Sequence, residues 1–162
     1  MALSNLLALL EAQPFAQAIA ESPLLFPLIE TVHVMALVLV VGSIAMLDLR
    51  LLGVSRRDYG VTELAAETLP WTWASFVVAA TSGFLLFSSA ATRYAGLTPF
   101  RIKIVLLILA GINMAIFHIS AYRSVHSWNH NLPTPIAARV AGTLSLTFWI
   151  GVIFAGRWIG FV

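Results

Sequence analysis

Read for polarity alone, the chain is a series of long apolar stretches separated by short polar ones. Four stretches stand out, at roughly 24–52, 71–91, 100–123 and 137–162. Each is long enough to span a membrane, because ~20 helical residues cross a hydrocarbon core of ~30 Å. The apolar positions run on without strict alternation, which predicts helices rather than barrel strands, and a helix satisfies its own backbone groups in lipid. The expected fold is therefore all-α: a four-transmembrane-helix bundle. It forms a single integral membrane domain over 1–162, with spans at about 23–53, 71–91, 100–127 and 137–161.

Local signals refine these boundaries. Leu3, Leu6, Leu7 and Leu10 share one helical face, so 3–12 is expected to be a short helix lying in the membrane interface. Pro14 breaks it, and Phe15 to Ala20 form a further turn, so 1–21 is read as interfacial. This segment lacks a basic leader, and Glu11 and Gln13 interrupt it, so it is not read as a cleavable signal. Ser22-Pro23 is a start signal for the first span: an N-cap serine followed by a proline suited to the first helical position. The segment SRRDYGVTELAAETLP is the long polar connection, with an amphipathic helix expected at 61–68. Pro70 is read as opening the second span, with Trp71 and Trp73 at the interface. The small residues AATSG at 79–83 admit a close helix neighbour, as do Gly156 and Gly160, spaced four apart in the last span. Pro133 and Pro135 bar helix from the last turn.

Composition agrees with this pattern and excludes several chemistries. Hydrophobic residues make up 60% of the chain and charged residues 10%, against ~25% charged in a soluble domain. With no cysteine there is no disulfide, thiolate metal site, c-type haem attachment or iron–sulfur cluster. A net charge of +2 gives no argument for nucleic acid, and none is expected as a partner. No serine–histidine–acid, phosphate-loop or zinc-protease pattern occurs.

The few charges are informative. All seven acids precede residue 68, so an acid–base pair inside the membrane must join the first half to the second. The first and third spans run parallel. Glu30 to Asp48 covers about 27 Å at the helical rise, and Lys103 to Arg123 about 30 Å. Matching these ladders side by side places Glu30 against Arg101 or Lys103 at one boundary and Asp48 against Arg123 at the other. Eighteen residues return a helix to the same direction, so Glu30 and Asp48 share a stripe, with His33 about 60° away. Gly111, His118 and Tyr122 share a face of the third span, and Asn113 lies deep within it. Charges inside a membrane are costly, commonly face the bundle and commonly mark function. The alternative reading is that Glu30 with Lys103 and Asp48 with Arg123 are purely structural clamps.

The four histidines are His33, His118, His126 and His130. His33 and His118 fall inside spans, and His126 and His130 at the inner surface beside Trp128. Imidazole is a common axial haem ligand, and bundles hold such cofactors between facing helices. A buried histidine bonded to a carbonyl or hydroxyl is the structural alternative.

The segments IETVHVMALVLVVGSIAMLDLRLLG, TSGFLLF and FRIKIVLLILAGINMAIFH resemble a family of small bacterial four-span membrane proteins, over most of 23–123. More remotely the layout is similar to copper-resistance-D-like membrane domains and haem-containing membrane protoporphyrinogen oxidases. The likeness lies in His33 followed by Gly42 in an early span and Lys103 opening a later one. It implies His33 as a haem or metal residue and Lys103 as a supporting cation. The chain departs from that pattern in having no second histidine in the second span and no aromatic immediately before Gly42.

The leading expectation is a b-type haem protein, acting in electron transfer or as a quinone-linked redox module. Its cofactor residues would be His33, His118, Gly111 and His126. Its supporting polar residues would be Glu30, Asp48, Arg101, Lys103, Asn113, Tyr122 and Arg123. Matched heights put His33 and His118 about 18 Å apart, so one iron could not bridge them. A copper or proton pathway is the second reading, with His33 and His118 as metal residues, although no methionine cluster or cysteine supports a soft-metal route. A non-catalytic scaffold is the third, with the glycine-rich last span as a dimer face. Expected partners are the bilayer, a quinone or redox protein, and a second copy of the chain. Five bases lie on one side of the spans and four on the other. The resemblance implies a multi-pass protein of the bacterial cytoplasmic (inner) membrane, and the positive-inside rule, weighted by the first connection, puts both termini on the periplasmic side.

Overall fold

The computed structural model describes residues 2–54, 59–129 and 133–162. The readings that involve Arg56, Arg57 and His130 lie outside them. All elements among the described residues are helical. Two short helices, α1 (Ala2–Glu11) and α2 (Pro14–Glu21), precede four long ones: α3 (Leu25–Leu51), α4 (Val61–Ser88), α6 (Thr98–Ile119) and α7 (Ile136–Trp158). The six-residue α5 (Ala91–Gly96) joins α4 to α6, and 3-10 turns follow α6 and α7. The four long helices are long and apolar enough to cross a membrane, which makes this a multi-pass membrane protein.

Each boundary has a local cause. Pro14 stands in the first turn of α2, where its missing N–H costs nothing. Ala16 and Ile19 bury α2, so the interfacial segment is two docked helices rather than one and a turn. The Ser22 hydroxyl accepts from the N–H groups of Leu24 and Leu25 just ahead of α3, whose N-cap is Leu24, so the helix starts two residues later than the Ser22-Pro23 signal predicts. At the other end Gly53 takes a positive φ of 73°. Val54 N–H then reaches the Leu49 carbonyl and Gly53 N–H the Arg50 carbonyl, the paired closure that a left-handed glycine permits.

The second span differs from its expected limits. Pro70 lies inside α4, and the amphipathic stretch from Val61 is continuous with the apolar one. Pro70 deprives the Ala66 carbonyl of its usual donor, yet the surrounding turns persist. Thr68 and Thr72 hydroxyls donate back to the carbonyls of Leu64 and Thr68, and Val61, Leu64 and Ala65 are buried. The third span also ends earlier than expected. At Ser120 the backbone leaves the helical region (φ −114°, ψ −94°), and Ala121–Ser127 continue as a 3-10 turn.

The bundle is an open horseshoe. α3 packs along α4, α7 packs along α6, and α3 meets α7 at the centre. The order around the bundle is α4, α3, α7, α6, and α4 and α6 do not pack along each other. One end of the bundle gathers α1, α2 and α5; we call it the terminal end and the opposite one the loop end. At the terminal end Phe87 of α4 stacks on Phe100 of α6, with ring centroids 5.1 Å apart. Val40, Ala110, Trp149 and Val152 form the central core. Leu51, Val61, Phe117, Val125, Trp128 and Ala138 form a second core at the loop end.

A buried arginine ties the loop end together. Arg50 is 2% exposed; its Nε donates to the Tyr59 carbonyl (2.7 Å) and its Nη2 to the Asn129 carbonyl (2.9 Å). The Asn129 side chain accepts from the Thr62 N–H (3.0 Å) and donates to the Thr62 hydroxyl (2.7 Å), capping α4 from across the bundle.

Candidate functional site: a cavity in the open seam

Small side chains hollow out the bundle where α4 and α6 part. Ala65, Thr68 and Thr72 on α4, Ala110 and Gly111 on α6, and Ala141 and Ser145 on α7 all line a cavity of about 270 Å³. Leu47, Leu107, Phe117 and Trp149 supply its apolar walls, and Trp73, Phe76 and Met114, all exposed on their helices, stand beside the open seam.

Asp48 is the most deeply buried acid on this wall, at 5% exposure. Ser145 of α7 lies beside its carboxyl group on the same wall. The second oxygen, Oδ2, is buried and has no hydrogen-bond partner among the described residues. α7 comes close here, because a Cβ on Gly142 would stand 3.2 Å from the Asp48 carbonyl oxygen.

His118 stands on the opposite wall. Its Nδ1 lies 2.8 Å from the Met114 carbonyl, which can only accept, so Nδ1 carries the proton and Nε2 is left as an acceptor. Its ring packs on Tyr122 (5.2 Å) and Phe117 (5.6 Å). Asn113 lies between, its amide donating to the Ala141 carbonyl at 2.9 Å. Gly111, His118, Asn113 and Tyr122 therefore gather at one cavity, together with Asp48.

His33 is elsewhere, in the α3–α4 seam toward the terminal end. Its Nδ1 lies 3.0 Å from the Ser82 hydroxyl, whose own proton goes to the Val78 carbonyl at 2.6 Å, so the imidazole is the donor. The ring lies over Gly83, where a Cβ would sit 2.9 Å from its Cε1. Lys103, half-buried on α6, reaches toward Gly156, with Nζ 3.5 Å from a Cβ placed there.

The side-by-side pairing of the first and third spans is corrected. α3 and α6 face each other across the cavity and α7 mediates between them, so matched heights do not become contacts. Among the described residues neither Glu30 with Lys103 nor Asp48 with Arg123 forms an ion pair. Glu30 is exposed, and Arg101 donates to the Ala95 carbonyl instead (2.8 Å). Arg123 falls in the 3-10 turn, off the helix that would have carried it to Asp48. His126 is exposed on the same turn and does not line the cavity. His33 and His118 do not converge, and no cluster of three or more metal-ligating side chains occurs among the described residues. Of the glycine pair in the last span, Gly156 receives Lys103, while Gly160 lies beyond α7 with nothing near it. Sequence reasoning missed Ser82, Ser145 and Arg50. A hydroxyl among small residues in AATSG was the available signal for the first; the other two offered none.

Fold and site together define a class: a four-span integral membrane bundle with a polar-tipped apolar cavity beside an open helix seam. The chain belongs to a family of unknown function, DUF6644, whose profile matches residues 24–162. No curated protein and no solved structure matches it.

Proposed function

We propose that the protein binds a lipophilic small molecule taken from the bilayer through the seam between α4 and α6. The observation that carries this is the cavity itself: about 270 Å³, apolar in its walls, with a few convergent polar groups. An apolar chain entering through the open seam makes the wall contacts that the parted helices do not make with each other. A quinone-linked redox module is one form of this function, with Asp48, Asn113 and His118 holding the head group. The loop end, with Arg50, Arg123 and Arg139, is assigned to the cytoplasmic face of a bacterial inner membrane.

The test uses the protein in lipid nanodiscs with Trp149 as its sole tryptophan and 1-bromododecane as quencher. Saturable quenching above simple partitioning is expected, and Ala65→Leu, which fills the cavity, should abolish it. Quenching that rises linearly and identically in both proteins would refute the proposal.

A haem b reading is kept on one observation: His118 faces the cavity with Nδ1 bound to a carbonyl and Nε2 free, the arrangement of an axial imidazole. His118 would hold the iron, and haem would supply one-electron chemistry. His33 and His126 do not reach that site. A Soret band after expression with haem, lost in His118→Ala and kept in His33→Ala, is the expected signature. For copper transport no comparable observation stands among the described residues.

A further inference from the structure

We infer that the cavity selects a ligand carrying a hydrogen-bond donor on an apolar chain, and that Asp48 receives the donor. This rests on the proposed binding function and names the chemical class of what is bound.

The argument is a census of protons at the wall. The Ser43 hydroxyl donates to the Val40 carbonyl at 3.0 Å. The Thr72 hydroxyl has its one proton between Ser43 Oγ (2.7 Å) and the Thr68 carbonyl (2.9 Å). Thr68 donates to the Leu64 carbonyl at 2.8 Å. Nδ1 of His118 donates to the Met114 carbonyl at 2.8 Å. These donors are turned back into the protein. Oδ2 of the ionised Asp48 carboxyl, buried and unpartnered among the described residues, is left as an acceptor, as is His118 Nε2. The Tyr122 and Ser145 hydroxyls, the second amide proton of Asn113 and the indole N–H groups of Trp73 and Trp149 also stand at the wall, and none of them reaches Asp48 Oδ2.

A buried acceptor without a partner loses its hydration and gains nothing in return. In lipid no water is at hand to repair this. A hydroxyl or ammonium group arriving on the ligand does so, and the walls then enclose its chain. A hydrocarbon fills the same volume and leaves Oδ2 unsatisfied. An ether brings no proton to Oδ2 either. Donor capacity, and not polarity, is therefore what the site discriminates.

The experiment compares three bromododecyl probes of equal chain length on the sole-Trp149 protein, each corrected for bilayer partitioning. They are 1-bromododecane, 12-bromododecyl methyl ether and 12-bromododecan-1-ol. The alcohol is expected to bind roughly tenfold tighter than the other two. Asp48→Asn can present an amide NH2 where Oδ2 was. It should erase the preference for the alcohol and favour the ether. Should that variant fail to fold, the comparison of alcohol with ether on the unaltered protein decides alone. Saturable binding of all three with equal affinity would overturn the inference and leave the binding proposal standing. Absence of saturable binding by any probe would overturn both.

Discussion

Gly142 of α7 and Asp48 of α3 meet backbone to backbone: a Cβ on Gly142 would lie 3.2 Å from the Asp48 carbonyl oxygen and 3.3 Å from Leu51 Cβ. This is where the two halves of the horseshoe touch, and a carbonyl on a helix cannot swing aside as a side-chain tip can. Gly142→Leu should therefore part α3 from α7 and destabilise the protein by about 2–3 kcal/mol, the cost of an overpacked contact. Gly42, with nothing within 4 Å of its added Cβ, is the control. Gly42→Ala should stabilise by about 0.5–1 kcal/mol through helix propensity. Thermal unfolding in one detergent, followed by circular dichroism, measures both.

Arg50 offers a second test. Its guanidinium satisfies carbonyls on both connections of the loop end, at Tyr59 and Asn129. Arg50→Met keeps most of the packing volume but leaves those buried carbonyls without these donors. A loss of about 2–4 kcal/mol is expected, since each charge-assisted bond contributes ~1.5–3 kcal/mol. Hydrogen exchange should rise first at Thr62 and its neighbours, because Asn129 caps α4 only while its own backbone is held. Unchanged exchange there would show that the cap stands without Arg50.

Why some of this was legible and some not follows from what a helical pattern contains. Apolar length set the four spans, and Ser22 marked the approach to α3 within two residues. Within a helix, periodicity fixes direction, so Gly111 and His118 share the cavity as their spacing implies, while Tyr122 reaches it from the 3-10 turn beyond the break at Ser120. Between helices it fixes nothing. Glu30 and Lys103 match in height, but no one-dimensional signal says that α7 stands between α3 and α6. Pro70 misled because a proline reads alike at a helix start and inside a helix. The threonine back-bonds and the buried Val61–Ala65 face that carry α4 through it are tertiary facts. Asp48 was legible as a charge needing a partner; that nothing described satisfies its Oδ2 depends on the register of α7.

Tyr94 on α5, outside the spans, gives a pH-dependent prediction. Burial raises its phenol above the ordinary value of 10.0; Arg93 opposes this, and the Glu30 carboxylate adds to it. The folded state thus holds the proton more tightly than the unfolded chain. The stabilisation is fully present below the unfolded pKa of about 10 and is lost as pH rises through the folded one. Spectrophotometric titration of the folded protein should show one tyrosine ionising later than the others, and Tyr94→Phe should remove that component. Glu30→Gln should bring it to lower pH. A Tyr94 component that ionises with the others would mean the phenol is in water.

The cavity makes the last prediction, and its sign separates two accounts of the open seam. If small residues at Ala65, Ala110 and Ala141 merely leave a packing defect, filling it should help folding and harm nothing. If they keep room for a ligand, filling should help folding and abolish binding. Ala65→Leu adds bulk at a 3% exposed position on the cavity wall, so it should take up part of the space. Three added carbons bury ~0.8 kcal/mol each at best, so a gain of about 1–2 kcal/mol is expected once some rotamer strain is deducted. Measured in ligand-stripped detergent, the variant should unfold at higher temperature than the unaltered protein. Measured with saturating 12-bromododecan-1-ol, that order should narrow or reverse, because only the unaltered protein gains stability by mass action. A variant less stable than its parent without ligand would mean the space is already filled by side-chain motion, and the binding reading would lose its volume. A variant more stable by the same margin with and without ligand would make the void a defect.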